Sequence, residues 1–321
     1  MQAYVDELAL RLPRVAPDLT FATFPRTRSL TLDEQFGLPR RLRRANPRLV
    51  HFLSVYAPLF GPRPYAITVH DLIHLRFPQF FKATVGPYYA SVVRFVCARA
   101  ARVLTDDERT VGDLQRFLGV APAKVRIVPL GVDDVFLRDG IVPERGARAF
   151  FLYVGNHRPH KDLPTLFAAW QALPEELEAD LYLTGDDDLD PTHPRPRRER
   201  GALCFLGDVG VERLASLYAG ATALVSASLC EGFGLPLLEA ASVGARVISS
   251  SEAVPGVLRP YVDRFEPRDV RALAGLMAAA LGGAPDRREE TRRFARTQTW
   301  DRCAAKTAEV YREILETNGR R

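Results

Sequence analysis

Short runs dominated by Val, Ile, Leu and Phe alternate along this chain with stretches whose apolar residues recur at helical spacing. Five runs, 19–24, 48–54, 65–71, 102–105 and 124–130, read as strands bounded by polar residues or proline. Helical spacing fills 85–99 and 110–118 between them. A second series follows, with strands expected over 149–154, 179–184, 203–207, 221–227 and 246–250. Its helices are expected over 163–173, 211–219, 236–243 and 269–281. Strands apolar throughout, alternating with helices, predict parallel sheets covered on both faces. Two such series predict an α/β fold of two Rossmann-like domains. The aperiodic stretch 139–148, rich in glycine, proline and charge, reads as the hinge, giving domains at 1–140 and 149–299. In the tail, 300–321, Ala304, Ala308, Tyr311 and Leu315 share one face of a helix expected over 301–315.

The 321 residues are 47% apolar and 26% charged, which excludes a disordered or collagen-like chain. No uncharged apolar run reaches the roughly 18 residues of a transmembrane helix. The acidic start, Asp6-Glu7 within seven residues, does not read as a secretory signal. The net charge of +5 is carried almost wholly by arginine, since only Lys82, Lys124, Lys161 and Lys306 are lysines. Clusters at Arg40-Arg41, Arg43-Arg44 and 195–200 read as solvated surface, the sharper reading being peripheral contact with the inner face of an anionic membrane. No aromatic interleaving supports a nucleic-acid partner. Four scattered cysteines, Cys97, Cys204, Cys230 and Cys303, fit reduced thiols in a cytoplasm better than a disulfide framework or a zinc site.

One run concentrates chemistry: Glu231-Gly232-Phe233-Gly234-Leu235-Pro236-Leu237-Leu238-Glu239. It follows an apolar strand and opens a helix, with Pro236 suited to the first turn. Ligands of open α/β sheets bind beyond the carboxyl ends of strands. Glycines let a ligand approach the backbone, and the free amides of a helix start favour an anion or a hydroxyl-rich group. The two oxygens of a carboxylate such as Glu239 suit the vicinal diol of a ribose. Singly, Glu231 is a surface acid and Glu239 a helix-dipole partner; together with the glycines the run is specific. Gly155 ends the first strand of the second series and suits a tight turn near phosphates, but the longer glycine fingerprint of dinucleotide sites is absent. His70 follows 66–69 and is expected at a strand's carboxyl end, with Asp71 capping the next turn. The acidic turn Asp106-Asp107-Glu108 reads as an N-cap of the following helix. His157, His160 and His193 form no metal-ligand grouping, and Asp186-Asp187-Asp188 reads as a solvated loop, so no metal is expected.

The run 231–239 resembles the E-x7-E element of retaining GT-B glycosyltransferases of family 4, the glycosyl transferases group 1, whose members include mannosyl- and glucosyltransferases. Tyr153-Val154-Gly155-Asn156-His157-Arg158-Pro159-His160-Lys161, Pro129-Leu130-Gly131-Val132-Asp133, Thr68-Val69-His70-Asp71 and Thr299-Trp300 resemble further family segments in the same order. The resemblance implies two domains facing across a cleft, with the tail helix crossing back to the first. It implies transfer of a hexose from a GDP- or UDP-linked sugar, needing no other cofactor, to a glycan or lipid-linked acceptor. Arg158 and Lys161 then stabilise the departing diphosphate in place of a metal. Glu231 holds donor sugar hydroxyls, and the departing phosphate helps deprotonate the acceptor in a front-face, retaining attack. By the same resemblance Gly207 and Val209 lie beside the nucleobase, Gly232, Phe233, Gly234, Leu235 and Glu239 belong to the donor-binding segment, and His70 lies near the transferred sugar. Members of the family begin with a strand and a glycine-rich turn; here Val5, Leu8 and Leu12 are already in helical phase, and the first domain is expected to lack its first strand. The alternatives left open are a non-catalytic nucleotide-sugar-binding partner of another transferase and an epimerase or phosphorylase of the same architecture.

Overall fold

The computed structural model describes residues 2–24, 31–187 and 196–319. His193 and Asp188 lie outside them. The chain divides into two α/β units, one of residues 1–131 with 299–321 and one of residues 132–298. The division falls upstream of 139–148, which belongs to the second unit: the Glu144 amide donates to Ser216 O at 2.9 Å and its carboxylate takes Arg213 at 2.9 Å.

The first unit opens with α1 (Gln2–Val15), which buries Tyr4, Leu8 and Leu12, and α2 (Leu38–Ala45), which turns Leu42 inward and leaves its arginines outside. Four parallel strands follow in sheet order: β1 (Val50–Phe52), β2 (Tyr65–Thr68), β3 (Arg102–Thr105) and β4 (Val125–Ile127). The connection from β2 to β3 runs through α3, a helical run over 85–99 with a π-helical middle at Tyr89–Val93. Between β3 and β4 lies α4 (Glu108–Leu118), capped by Asp107, whose Oδ1 accepts the Arg109 amide at 2.9 Å. Every residue of β2 is buried, as expected of a strand with both faces covered. The strand expected over 19–24 does not form. Leu19 N donates to Ala16 O in the turn closing α1, and Phe21 lies beside the Tyr311 ring at 6.3 Å, so Phe21 packs on a helix instead of pairing in the sheet, and Phe24 is exposed.

The second unit is a six-stranded parallel sheet: β5 (Phe150–Tyr153), β6 (Asp180–Leu183), β7 (Leu203–Phe205), β8 (Ala223–Ser226), β9 (Val247–Ser250) and β10 (Asp263–Phe265). Their order is β10-β9-β8-β5-β6-β7. The short β10 escaped the sequence pattern because only Phe265 of its three residues is buried. Helices α5 (Leu163–Gln171), α6 (Val211–Gly220), α7 (Leu235–Val243), α8 (Val270–Leu281) and α9 (Arg288–Ala295) cover the sheet. Phe151, Leu166, Trp170, Leu181, Val225, Leu273 and Met277 form the centre of its core.

The last helix, α10 (Trp300–Gly319), belongs to the first unit. It lies along α1, where Arg11 Nη1 donates to Asp301 Oδ1 at 3.0 Å and the Tyr4 and Trp300 rings meet at 6.3 Å. Its buried face carries Cys303, Ala304, Ala308, Tyr311 and Ile314, and Leu315 is only half-buried. Gly131 sits against the start of this helix. A Cβ there would lie 2.2 Å from Trp300 N and 2.5 Å from Thr299 C, backbone atoms that cannot swing aside. Gly131→Ala is therefore expected to destabilise the first unit by at least about 3 kcal/mol, read as a lowered urea midpoint. An unchanged midpoint would mean the two segments separate freely.

Candidate functional site

Parallel strands put all their carboxyl ends on one side of the sheet. In the second unit the chain runs outward from β5 in one direction through β6 and β7, and in the other through β8, β9 and β10. The reversal point lies between β5 and β8, where an open α/β sheet forms a natural ligand crevice. The segments leaving these two strands are 154–162 and 227–234, and they hold most of the residues singled out in the second series.

The two segments are tied together. Leu229 N donates to the carbonyl of buried His160 at 2.8 Å. Lys161 closes a single 3-10 turn, Pro159–Lys161, and Asp162 takes a left-handed conformation at φ 50° to start α5, its carboxylate accepting Thr165 Oγ1 at 2.7 Å. This geometry aims Lys161 at Glu231. Lys161 Nζ donates to Glu231 Oε1 at 2.6 Å and to Oε2 at 2.8 Å. Both side chains are about 15% exposed, at 14% and 16%, so the pair is shielded from most of the solvent that weakens surface ion pairs. Ser228 Oγ donates to Glu231 Oε1 at 2.6 Å and is 3.2 Å from Ser226 Oγ behind it. Glu231 is thus held from two sides.

Glu231 is followed by Gly232, Phe233, Gly234 and Leu235. Phe233 is buried and anchors the segment, while Gly232 and Leu235 are half-buried. Gly234 takes φ 79°, a left-handed turn that a side chain would strain, and sets the start of α7 with Pro236 in its first turn. One turn into α7, Glu239 accepts the Tyr218 hydroxyl of α6 at 3.0 Å. Burial pushes the Glu239 carboxyl up to about 7, against the opposing effect of the Tyr218 hydrogen bond. Arg158 is exposed, and among the described residues its guanidinium makes no ion pair. Gly155 N donates to Thr184 Oγ1 at 3.1 Å, joining the β5 segment to that after β6. Gly207 pairs with Gly185 through amide bonds of 2.8 and 3.1 Å, and half-buried Val209 follows it. Gly155, Gly207, Val209, Lys161, Glu231 and Glu239 therefore all lie beyond the carboxyl ends of strands of one sheet or on the helix leaving β8.

In the first unit, His70 lies two residues beyond β2. Its Nδ1 is 2.7 Å from Oδ2 of buried Asp106, just beyond β3, and the Tyr4 ring meets it edge-on at 4.8 Å. Burial opposes protonation of His70, but the Asp106 carboxylate outweighs it, with Asp71 adding, and the ring is held above the usual histidine range. Asp71 caps the next turn, its Oδ1 accepting Ile73 N at 3.1 Å. The acidic turn divides its labour: Asp107 is the cap, and Asp106, expected to serve capping too, instead takes the histidine. A second histidine, His51, is enclosed between Tyr311 OH at 2.7 Å and Thr68 Oγ1 at 2.8 Å, and burial pulls its pKa down to about 3.

Sequence reasoning missed Ser226, Ser228 and Tyr218, and gave Asp106 to capping. The signal for the serines was available: hydroxyls at the end of an otherwise apolar buried strand need partners there. Tyr218 on its helix carried no such mark. Asp186 and Asp187 are exposed.

Two family models match the chain in succession. Residues 4–136 match Glycosyltransferase Family 4, and residues 148–282 match Glycosyl transferases group 1. Over 176 residues, 51% of this chain and 46% of the other, the chain is 34% identical to the O-antigen chain mannosyltransferase B of Escherichia coli. Over 249 residues, 71% of this chain and 57% of the other, it is 25% identical to the MMP alpha-(1->4)-mannosyltransferase of Mycolicibacterium hassiacum. The chain spans about half the length of the curated relatives it matches (46% and 57% for these two). Among solved structures, the glycosyltransferase WaaG, involved in lipopolysaccharide biosynthesis, superposes with a TM-score of 0.66 at 17% identity, over 96% of this chain and 95% of that one. Sucrose-phosphate synthase from Thermosynechococcus elongatus superposes with a TM-score of 0.68 at 21% identity, over 87% and 77%. Anabaena HepE in complex with UDP-glucose does so with 0.63 at 15%, over 78% and 72%. At these identities the superpositions speak to the fold, a GT-B arrangement of two parallel-sheet α/β domains.

Proposed function

We propose, from the premise that this chain belongs to family 4 of the glycosyltransferases, the glycosyl transferases group 1, that it moves a hexose from a nucleotide-diphosphate sugar to a glycan or lipid-linked acceptor in polysaccharide or glycoconjugate synthesis. Mannose from a GDP-linked donor is the first candidate, because the curated relatives include mannosyltransferases; glucose from UDP is the second, because HepE was solved with UDP-glucose. The observation that carries the reading is the Lys161–Glu231 pair at the reversal point of the second sheet.

Breaking the glycosidic bond adds one negative charge to a diphosphate that is already anionic. Lys161 and Arg158 supply fixed cations for that charge, Lys as a point charge and Arg as a planar fork, in the role a metal plays elsewhere. As Lys161 turns to the diphosphate, Glu231 is released to accept sugar hydroxyls, with Ser228 keeping it in place. Amides of 232–235 at the start of α7 add donors toward phosphate oxygens. Glu239 accepts ribose hydroxyls, and the backbone at Gly207 and Val209 faces the base. The departing phosphate takes the acceptor proton, which gives retention at the anomeric carbon without a protein nucleophile. The exposed arginines of α2, Arg40, Arg43 and Arg44, suit peripheral contact with an anionic membrane, read as arginine-dependent co-sedimentation with anionic vesicles; none with either anionic or neutral vesicles would refute it.

Calorimetric titration with GDP, UDP and ADP tests the donor side. One nucleotide is expected to bind selectively, and Glu239→Ala is expected to weaken it about 10- to 100-fold. Ribose hydroxyls need the ionised carboxylate, so affinity rises with pH through the Glu239 pKa of about 7. The expected gain between pH 6 and pH 8 is about tenfold, set by the ionised fraction. Affinity equal in wild type and Glu239→Ala would overturn the assignment.

A further inference from the structure

We propose that Asp106 is the positioning residue of His70: its carboxylate holds the Nδ1 proton and so assigns Nε2 to a hydroxyl of the sugar substrate. The inference rests on the reading above for the identity of that substrate and on the first unit alone for its geometry.

Asp106 is buried, and among the described residues His70 is its one hydrogen-bond partner, at 2.7 Å. A carboxylate taken out of water is tolerated only when another group compensates it. Here the compensation comes from the imidazole, so the two groups fix each other. The segments that carry them leave adjacent parallel strands, β2 and β3, and Val69 N to Leu104 O at 2.9 Å extends the pairing up to both residues. The Tyr4 ring against His70 and the bond from Thr110 Oγ1 to the His70 carbonyl, 3.4 Å, limit rotation further. Nε2 is then left without a hydrogen-bond partner among the described residues, although the His70 side chain is 18% exposed. A buried polar atom without a partner calls for one, and a ring nitrogen whose companion is already bonded is committed to a single role. The neighbouring Asp107 shows that capping α4 did not require the second acid, since Asp107 Oδ1 alone accepts the Arg109 amide.

The test uses the full chain with 15N-labelled histidine, as wild type, Asp106→Ala, Asp106→Asn and His70→Ala, each first checked for native thermal unfolding. Recorded at a pH above the raised His70 titration, the imidazole nitrogen spectrum of wild type is expected to show the neutral ring with its proton on Nδ1. Asp106→Ala is expected to lose that preference, and Asp106→Asn, which keeps an acceptor oxygen, to retain it. With a mixture of glycan and lipid-linked acceptors supplied, turnover of GDP-mannose or UDP-glucose is expected to fall about 10- to 100-fold in kcat for Asp106→Ala with the donor KM within about twofold, and to recover largely in Asp106→Asn. A merely structural acid would not give that split. His70 nitrogen signals unchanged in Asp106→Ala would overturn the proposal, as would wild-type kcat in that variant beside an impaired His70→Ala. Should wild type turn over neither donor, the reading as a transferase fails by itself, and the nitrogen spectrum still decides whether Asp106 holds His70.

Discussion

Lys161→Ala is expected to lower kcat for sugar transfer by about 100- to 1000-fold, the range for removing one fixed group that meets charge developing in a transition state. The side chain bonds both oxygens of Glu231, which Ser228 still holds from the other side, so its loss touches the site more than the fold. Affinity for the nucleoside diphosphate is expected to fall as well, because the same ammonium meets the same phosphates in the product complex. Lys161→Arg is expected to rescue little: the guanidinium is planar and longer, and the 3-10 turn sets the reach for a compact charge. Steady-state kinetics and nucleotide titration on the three proteins check this together. Wild-type turnover in Lys161→Ala would remove Lys161 from the site.

Glu231→Ala is expected to separate two quantities that Lys161→Ala lowers together. Turnover falls about 100-fold or more, because the sugar loses its carboxylate partner. Nucleoside diphosphate affinity holds or rises, because Lys161 no longer has a competing anion at 2.6 Å. The Lys161→Ala/Glu231→Ala double variant is expected to be far less impaired than the product of the single effects, as contacting residues are not additive. Loss of diphosphate affinity in Glu231→Ala equal to that in Lys161→Ala would show the pair acting as a structural unit.

Much of the fold was legible because β2, β5, β8 and β9 are buried along their whole lengths and open on apolar residues. The failures share a cause. Residues 19–24 look like a strand but pack Phe21 on α10, and β10 is a strand with one buried residue; neither distinction is present in local periodicity. Gly131 was legible as part of a motif, yet its reason, the backbone of Trp300 packed against it, lies far along the chain. The site followed the same rule. Glu231, Lys161 and Glu239 stood out through spacing and type, but that Lys161 and Glu231 meet is a consequence of parallel strands β5 and β8 lying side by side. Asp106 read locally as a second cap; only the adjacency of β2 and β3 brings it to His70. The tail shows the gain from tertiary context as well, since Glu313, unremarkable in sequence, is held near a pKa of about 2 by hydrogen bonds from Arg126 and Arg102.

The most direct test is release of nucleoside diphosphate from GDP-mannose and UDP-glucose, with a mixture of glycan and lipid-linked acceptors and EDTA present, in wild type and Lys161→Ala. The account predicts that one donor is consumed by wild type at a rate EDTA does not change, and that Lys161→Ala loses about 99% of that rate. Consumption of neither donor by folded wild-type protein, or equal rates in the two proteins, would contradict it.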